Sequence, residues 1–163
     1  MKPRIIIVDE KDNVIGFKKM ETLKREDIYR VSALWIVNGK GEILLARRAF
    51  NKSHHPGKWG PAVAGTVEED ETYDSNIVKE AEEELGLKNI KFNRGSKLRT
   101  SGKYNHFTQW YYFKTNKELD EFIVQEDEVA EIKWFNKKEL FQDLEKNSGD
   151  FLYGMKRWVE MFS

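Results

Sequence analysis

The sequence predicts an α+β domain in which a mixed β-sheet is flanked by helices. Short apolar runs separated by turn residues fill most of the chain, whereas helical patterns occur once near the middle and twice at the C-terminal end. Strands and helices therefore do not alternate as they do in a parallel α/β protein. With 163 residues and no internal repeat, residues 1–163 are predicted to form a single domain.

The N-terminal part is predicted to be a β-hairpin. Residues 4–9 and 14–20 are rich in strand-forming side chains, and Asp12-Asn13 between them is typical of a turn. Residues 1–28 thus form a predicted hairpin extension, which serves as a platform or a dimer contact. Nothing in it indicates catalysis.

The rest of the chain continues the mixed pattern. Further strands are predicted at residues 30–37, 42–48, 62–67, 90–101, 104–115 and 129–135. The first helix is predicted to begin at residues 70–72, with Thr72 or Asp70 as its cap, and to end at residue 85. Two more helices are predicted, one at residues 137–144 and one from residue 149 or 150 to residue 162. The helices after residue 136 carry apolar stripes and are predicted to pack on the sheet.

Composition excludes several classes of function. Basic and acidic side chains balance at 28 each, which argues against general nucleic-acid binding. The chain has no cysteine, so disulfides, thiolate metal sites and cysteine nucleophiles are excluded, and a cytoplasmic location is the default expectation. No apolar run reaches the about 18 residues of a membrane span, and the N-terminal apolar run is too short for a signal peptide.

Residues 65–87 concentrate the acidic charge of the chain, with Lys79 as the one cation among many carboxylates. Helical spacing places four apolar side chains on one predicted stripe: Ile77, Val78, Ala81 and Leu85. Glu80, Glu83 and Glu84 fall beside that stripe within an arc of roughly 100°. Like charges so close must be screened by water or by a cation, and carboxylates suit Mg²⁺ or Mn²⁺. The alternative is a solvated acidic helix face.

The same stretch resembles the Nudix box, a signature of glycine, glutamate, Arg-Glu and Glu-Glu at fixed spacing. The matching positions here are Gly65, Glu71, Lys79, Glu80, Ala81, Glu83, Glu84, Gly86 and Leu87. Lys79 stands where the family has arginine, so it keeps the charge but lacks the planar fork that orients a neighbouring carboxylate. Gly86 is predicted to end the helix in a left-handed conformation.

The resemblance implies the α/β/α sandwich and the activity of Nudix hydrolases: metal-dependent cleavage of a pyrophosphate linkage, typically in a nucleoside diphosphate joined to another group. It further implies Mg²⁺ or Mn²⁺ as cofactor and a small-molecule nucleotide or diphosphate as substrate. Carried over by position, Glu80 and Glu84 are the principal metal ligands. Glu83 is a further ligand or catalytic group, and the carbonyl of Ala64 or Gly65 completes the metal shell.

Two box residues have supporting roles by the same resemblance. Glu71 supports the site or pairs with Lys79, and Lys79 holds a glutamate in place. Many family members carry an extra catalytic or metal-binding carboxylate in a later loop, for which Glu126 and Glu128 are the candidates here.

The loop at residues 49–60 is predicted to face the substrate. The cations around it could meet a polyphosphate, or simply form surface pairs; they are Arg47, Arg48, Lys52 and Lys58. His54 and His55 lie in the same loop without a third ligand at a recognisable spacing, which argues against a metal site there.

Residues 8–87 are similar in layout to the isopentenyl-diphosphate isomerase-like subgroup, through VDEKDNVIG, NGKGEILLARR and HPGKW. The isomerase has a cysteine just before the box glycine and a histidine just after it, where this chain has Ala64 and Thr66. Isomerase activity is therefore the least expected. A binding or regulatory module without turnover is the second hypothesis, and Lys79 supports it. The resemblance and the N-terminal hairpin also predict a homodimer.

Overall fold

The computed structural model describes residues 2–163. Its strands are β1 Ile5–Val8, β2 Val14–Lys18, β3 Ile28–Val37, β4 Ile43–Arg48, β5 Trp59–Pro61, β6 Val63–Thr66, β7 Asn93–Thr100, β8 His106–Lys114 and β9 Val129–Phe135. Its α-helices are α1 Tyr73–Leu85, α2 Lys137–Lys146 and α3 Met155–Met161. This order of elements confirms the predicted α+β class.

Strand β3 is the centre of a mixed sheet. On one side, β8 runs parallel to β3 along nearly its whole length. On the other side, β3 pairs antiparallel with β1, then β6, then β4, one after another along its length. Strand β4 leaves β3 after two pairs and is itself flanked by β5 and β9. The sheet therefore divides beside β6.

Alternation along β3 divides the core into two layers. Leu34 and Ile36 point to the face covered by α1, where they join its Ile77 in one buried cluster. Trp35 points to the other face, where it joins the side chains of α2 and α3 in a second buried cluster. Helices thus cover both faces of the sheet, which confirms the α/β/α sandwich with a mixed sheet and C-terminal helices.

Helix α1 begins at Tyr73, and Thr72, one of the two predicted caps, is its N-cap. The Thr72 hydroxyl accepts a hydrogen bond from the Ser75 amide at 3.0 Å, and the Ser75 hydroxyl accepts one from the Thr72 amide at 2.9 Å. Gly86 ends the helix at φ 69°, so its predicted left-handed conformation is confirmed. The predicted burial of Val78 is wrong, because Tyr73 and Asn76 occupy the buried face and leave Val78 43% exposed.

The predicted start of the last helix at residue 149 or 150 is also wrong. Phe151 is buried and forms a bridge with Trp59, and the Leu152 amide donates to the Trp59 carbonyl at 2.9 Å. This tertiary pairing holds the segment extended, so the helix begins only at Met155. Local helical spacing could not reveal a partner so distant in sequence.

The N-terminal hairpin is tied into the sheet. Strand β1 is wholly buried and pairs with β3. At the hairpin turn, the Asp12 carboxylate accepts hydrogen bonds from Arg30, Lys97 and Tyr73 at 2.8, 2.7 and 2.9 Å. Residues 2–163 contain no helix with the length and apolar character needed to cross a bilayer.

Candidate active site

Strand β6 and helix α1 meet through Gly65 and Glu80. A Cβ atom at Gly65 would lie 2.5 Å from the Glu80 Cγ and 2.7 Å from its Cδ, so the Glu80 side chain would have to shift. Glycine is therefore required so that the Glu80 side chain can lie against the strand. This close approach explains why the first position of the box is a glycine.

Glu84 lies one helical turn after Glu80 and is the most perturbed carboxylate of the site. Burial raises the pKa of Glu84 to about 8, and the negative charges of Glu80 and Glu128 act in the same direction. A hydrogen bond from the Ala64 amide and the charge of Lys52 oppose this rise without cancelling it. The local positive charge is therefore too small to balance the buried carboxylate.

Glu80 has the same character. Its side chain is 17% exposed, and burial raises its pKa to about 7 even though Lys79 acts in the opposite direction. The charges of Glu83, Glu71 and Glu68 add to the rise. Glu80 and Glu84 thus form a pair of adjacent, partly buried carboxylates that disfavour each other's ionised form.

Lys79 bridges the acidic side chains at the start of the box. Its Nζ lies 2.7 Å from Glu71 Oε2, 3.1 Å from Glu68 Oε1 and 3.7 Å from Glu80 Oε1. Burial alone would lower the pKa of Lys79, but hydrogen bonds to Glu71 and Glu68 raise it above its usual value. Lys79 therefore remains charged and fixes two glutamates at once.

Glu71 is held on three sides. Burial would raise its pKa, but hydrogen bonds from Lys79, the Glu68 amide and Asn76 lower it. The Glu68 amide donates at 2.8 Å and the Asn76 side chain at 3.1 Å. A carboxylate so engaged supports the site and leaves few lone pairs for a metal ion.

Asn76 is a supporting residue that sequence reasoning missed. It is fully buried in α1, and its amide group donates both to Glu71 and to the Thr66 carbonyl of β6, the latter at 3.2 Å. It therefore ties the helix to the strand beside the carboxylate pair. Its signal in the sequence was a polar residue on the buried side of an amphipathic helix.

The donor set fits a hydrated divalent ion. Glu83 is exposed, and within residues 2–163 no group of three or more Asp, Glu, His or Cys side chains converges closely enough to enclose a metal. Mg²⁺ usually takes one or two carboxylates and keeps several waters. Glu80 and Glu84, which lack a compensating charge, provide such a pair.

The loop before β9 brings a third carboxylate near Glu84. The Gln125 amide donates to the Glu84 carbonyl at 3.0 Å, which docks this loop on the end of α1. Glu128 follows and pairs with Lys52 at 2.5 Å, and its charge raises the Glu84 pKa. Glu126, the other candidate of this loop, is exposed. The structure therefore brings Glu128, and not Glu126, to the box carboxylates.

The predicted substrate-binding cations mostly anchor the 49–58 loop. Arg47 donates to the Gly57 carbonyl at 2.9 Å and pairs with Glu131 at 3.2 Å, and it stacks over Trp59 on the sheet face opposite α1. Lys58 donates to the Gly149 carbonyl. Neither is brought to the carboxylates.

Arg48 has a different position. Its Nε donates to the His54 carbonyl at 3.0 Å. Burial lowers the pKa of His55, and the charge of Arg48 lowers it further. Arg48 is therefore a predicted phosphate contact at the loop tip, whereas Lys52, through its pair with Glu128, is the one brought to the box carboxylates.

The chain matches known proteins over most of its length. The family model of the NUDIX domain matches residues 28–158. The uncharacterised Nudix hydrolase YfcD of Escherichia coli is 27% identical over 155 residues, which cover 94% of this chain and 85% of YfcD.

Solved structures give the same result for the fold. DR0079 from Deinococcus radiodurans superposes with a TM-score of 0.84 at 21% identity, covering 97% of this chain and 98% of DR0079. The NUDIX domain of Shewanella oneidensis NrtR, solved with ADP ribose, superposes with a TM-score of 0.64 at 13% identity, covering 86% and 88% of the two chains. This chain belongs to the Nudix family of pyrophosphohydrolase enzymes.

Proposed function

We propose that this protein hydrolyses the pyrophosphate linkage of a nucleoside diphosphate joined to another group, with Mg²⁺ or Mn²⁺ as cofactor. The observation that carries the proposal is the Glu80–Glu84 pair, whose raised pKa values reflect an uncompensated charge beside Gly65. A substrate phosphate is negative and would be repelled by this pair, so a divalent cation must stand between them. The ADP ribose complex of the NrtR domain supports a nucleotide-like substrate.

The residues of the site have separate roles in metal binding and in positioning. Glu80 and Glu84 would hold the ion, with Glu83 and the carbonyl of Ala64 or Gly65 as further donors. When bound, the ion would polarise the phosphoryl oxygen and lower the pKa of water at the site. Lys79 keeps Glu71 and Glu68 in place, so that the strand and helix beside the pair stay in register.

Glu128 is the candidate acceptor for the proton of the attacking water. It lies near enough to Glu84 to raise its pKa, and its only described ion-pair partner in residues 2–163 is Lys52. A substrate phosphate would compete for Lys52 and so free the Glu128 carboxylate. Water then attacks phosphorus, the anhydride bond breaks, and the proton passes to Glu128. Glu83 is the alternative acceptor.

The competing functions receive less support. Ala64 and Thr66 occupy the two positions where the isomerase has its cysteine and histidine, and an alanine side chain cannot exchange a proton with an alkene. Lys79 does bridge the box glutamates, which weakens the case for a module without turnover. A cytoplasmic location and a homodimer remain predictions.

The test is product release from a panel of compounds, each with and without Mg²⁺ or Mn²⁺. The panel contains sugar nucleotides, dinucleoside polyphosphates, oxidised nucleotides and isopentenyl diphosphate. Metal-dependent cleavage of a nucleotide class is the expected result. Conversion of isopentenyl diphosphate to its allylic isomer, or metal binding without turnover on every class, would contradict the proposal.

A further inference from the structure

The three histidines of the chain gather around two tyrosines. The ring centroids of His54 and His55 lie 6.2 and 5.7 Å from that of Tyr104, both edge-on. Those of Tyr29 and His106 lie 5.3 Å apart, and Tyr29 and Tyr104 are near enough for their charges to interact. We call these five residues the histidine–tyrosine cluster. Three segments distant in sequence contribute to it, so no sequence motif could reveal it.

The cluster shares a sheet face with Ala64. Tyr29, Val31 and Ala33 point to the same side of β3 because side chains alternate along a strand. Ala33 pairs with Ala64 of β6, and Tyr29 pairs with His106 of β8. At about 3.3 Å per residue, Tyr29 lies roughly 13 Å along the strand from Ala33. That span is close to the length of an extended nucleoside diphosphate.

The sheet surface between these points, formed by Val31, Ala64 and Thr66, is open to solvent, and we call it the floor. The side chain of Ala64 is exposed, and those of Val31 and Thr66 are partly exposed, so α2 and α3 do not cover this part of the sheet. The amide of Ala64 contacts Glu84, which places one end of the floor beside the carboxylate pair. The histidine–tyrosine cluster closes the other end.

The 49–58 loop reaches Tyr104 through His54 and His55. His55 adopts φ 51°, a left-handed conformation that is costly for a residue before proline. Hydrogen bonds hold it there, because the Gly57 amide donates to the Arg48 carbonyl at 3.1 Å and Arg48 donates to the His54 carbonyl at 3.0 Å. The loop is therefore held in the conformation that brings His54 and His55 to Tyr104, at some cost in backbone energy.

The cluster combines neutral rings with surrounding cations. Burial lowers the pKa of His106 to about 4 and raises that of Tyr29 to about 12, so both rings are uncharged near neutral pH. His55 is surrounded by the positive charges of Arg48, Lys103 and Lys58. Uncharged aromatic rings suit stacking on a planar base, and the cations suit a phosphate next to it.

We propose that the histidine–tyrosine cluster binds the base of the substrate, with Tyr104 as the stacking residue. The substrate is therefore a nucleoside diphosphate derivative and not an isoprenoid diphosphate. This inference rests on the proposed function, because it assumes that the diphosphate of the same molecule reaches the Glu80–Glu84 pair. Tyr104 is partly exposed, as a residue that receives a ligand must be.

The test measures binding and needs no turnover. Isothermal titration calorimetry with ADP, GDP, CDP, UDP, isopentenyl diphosphate and inorganic pyrophosphate would compare the wild-type protein with three variants. Tyr104→Ala should weaken the best nucleoside diphosphate about tenfold and leave pyrophosphate unchanged, since stacking contributes on that scale. Tyr104→Phe should restore the affinity. Tyr153→Ala, at a fully exposed tyrosine elsewhere, should change neither.

Three results would overturn the inference. One is that no nucleoside diphosphate binds more tightly than pyrophosphate. Another is that Tyr104→Ala weakens nucleoside diphosphate and pyrophosphate equally, and the third is that it weakens neither. Thermal unfolding of each variant verifies that it is folded. Hydrolysis lost in Glu84→Gln with base preference retained would leave this inference standing, so the two proposals fail separately.

Discussion

At the scale of single residues, the site depends on the missing side chain of Gly65. The Glu80 side chain lies only 2.5 to 3.0 Å from the place that a Cβ atom at residue 65 would take. The Glu80 side chain can take this position against the strand only because residue 65 has a hydrogen atom in place of a Cβ. The position of the Glu80 carboxylate is thus set by its neighbour Gly65 as much as by its own helix.

Gly65→Ala should therefore displace Glu80 and lower kcat/KM by at least about tenfold while the protein stays folded. Glu80 is a flexible side chain that can move aside, so the overpacking cost should be about 1–3 kcal/mol. The measurements are kcat/KM at saturating metal and urea unfolding. Gly16→Ala is the matched control, because nothing lies within 4 Å of a Cβ at that position. Unchanged kinetics in Gly65→Ala would contradict the role given to this contact.

Lys79 is the departure from the family signature. Arginine at this position could pair with Glu68 and Glu71 through its planar fork, so Lys79→Arg should keep or raise activity. Lys79→Met keeps the length and removes the charge, and should lower kcat/KM by about tenfold by releasing both glutamates. Steady-state kinetics of the two variants test this. Equal activity of Lys79→Met and wild type would show that the bridge does not position the site.

At the scale of elements, the hairpin is docked through the carboxylate of its turn. Asp12 is at φ 64°, which Asp and Asn tolerate better than most residues. Burial by itself would raise the pKa of Asp12, but hydrogen bonds from Lys97, Arg30 and Tyr73 hold it below its usual value. The charged form is thus favoured by folding.

This network predicts a defined dependence of stability on pH. Because the folded pKa of Asp12 is depressed, its contribution is complete above the unfolded value of about 3.9 and is lost as pH falls through the folded pKa. Asp12→Asn, which keeps the left-handed turn, should lower the free energy of unfolding at pH 7 by about 1–2 kcal/mol. The difference from wild type should shrink below about pH 4.

Urea unfolding at pH 7 and at pH 3 measures both quantities. Asp120→Asn, at an exposed aspartate, provides the control for a general loss of negative charge. A wild-type advantage over Asp12→Asn that is equally large at both pH values would mean that the charge of Asp12 is not what docks the hairpin.

Local patterns predicted the box helix well, because its caps, its end at Gly86 and its carboxylate face depend on neighbours in sequence. They failed for Val78, since Tyr73 and Asn76 compete for the buried face. They failed again for the last helix, since the partner of Phe151 is Trp59 on a distant strand. Tertiary contacts override propensity where an element is short.

At the scale of the whole molecule, the site exists because the sheet divides. Strand β3 pairs with β6 and then with β4, which turns away to join β5 and β9. The division leaves Ala64 exposed beside the carboxylates. It also lets the 49–58 loop reach Tyr104, and the Glu128 loop reach α1. Contacts such as Lys52–Glu128 join residues far apart in sequence. The sequence therefore identified candidate residues of the site but could not predict which of them contact each other.

The central claim is that Glu80 and Glu84 hold a divalent ion on which turnover depends. The most direct measurement is Mn²⁺ binding and metal-dependent turnover in Glu84→Gln and in Glu82→Gln, an exposed glutamate of the same helix. Glu84→Gln should lose turnover and bind Mn²⁺ at least about tenfold more weakly while staying folded. Glu82→Gln should match wild type in Mn²⁺ binding and turnover. Removing the metal with a chelator should abolish turnover in wild type and in Glu82→Gln. Full activity of Glu84→Gln at saturating Mg²⁺ would contradict the account.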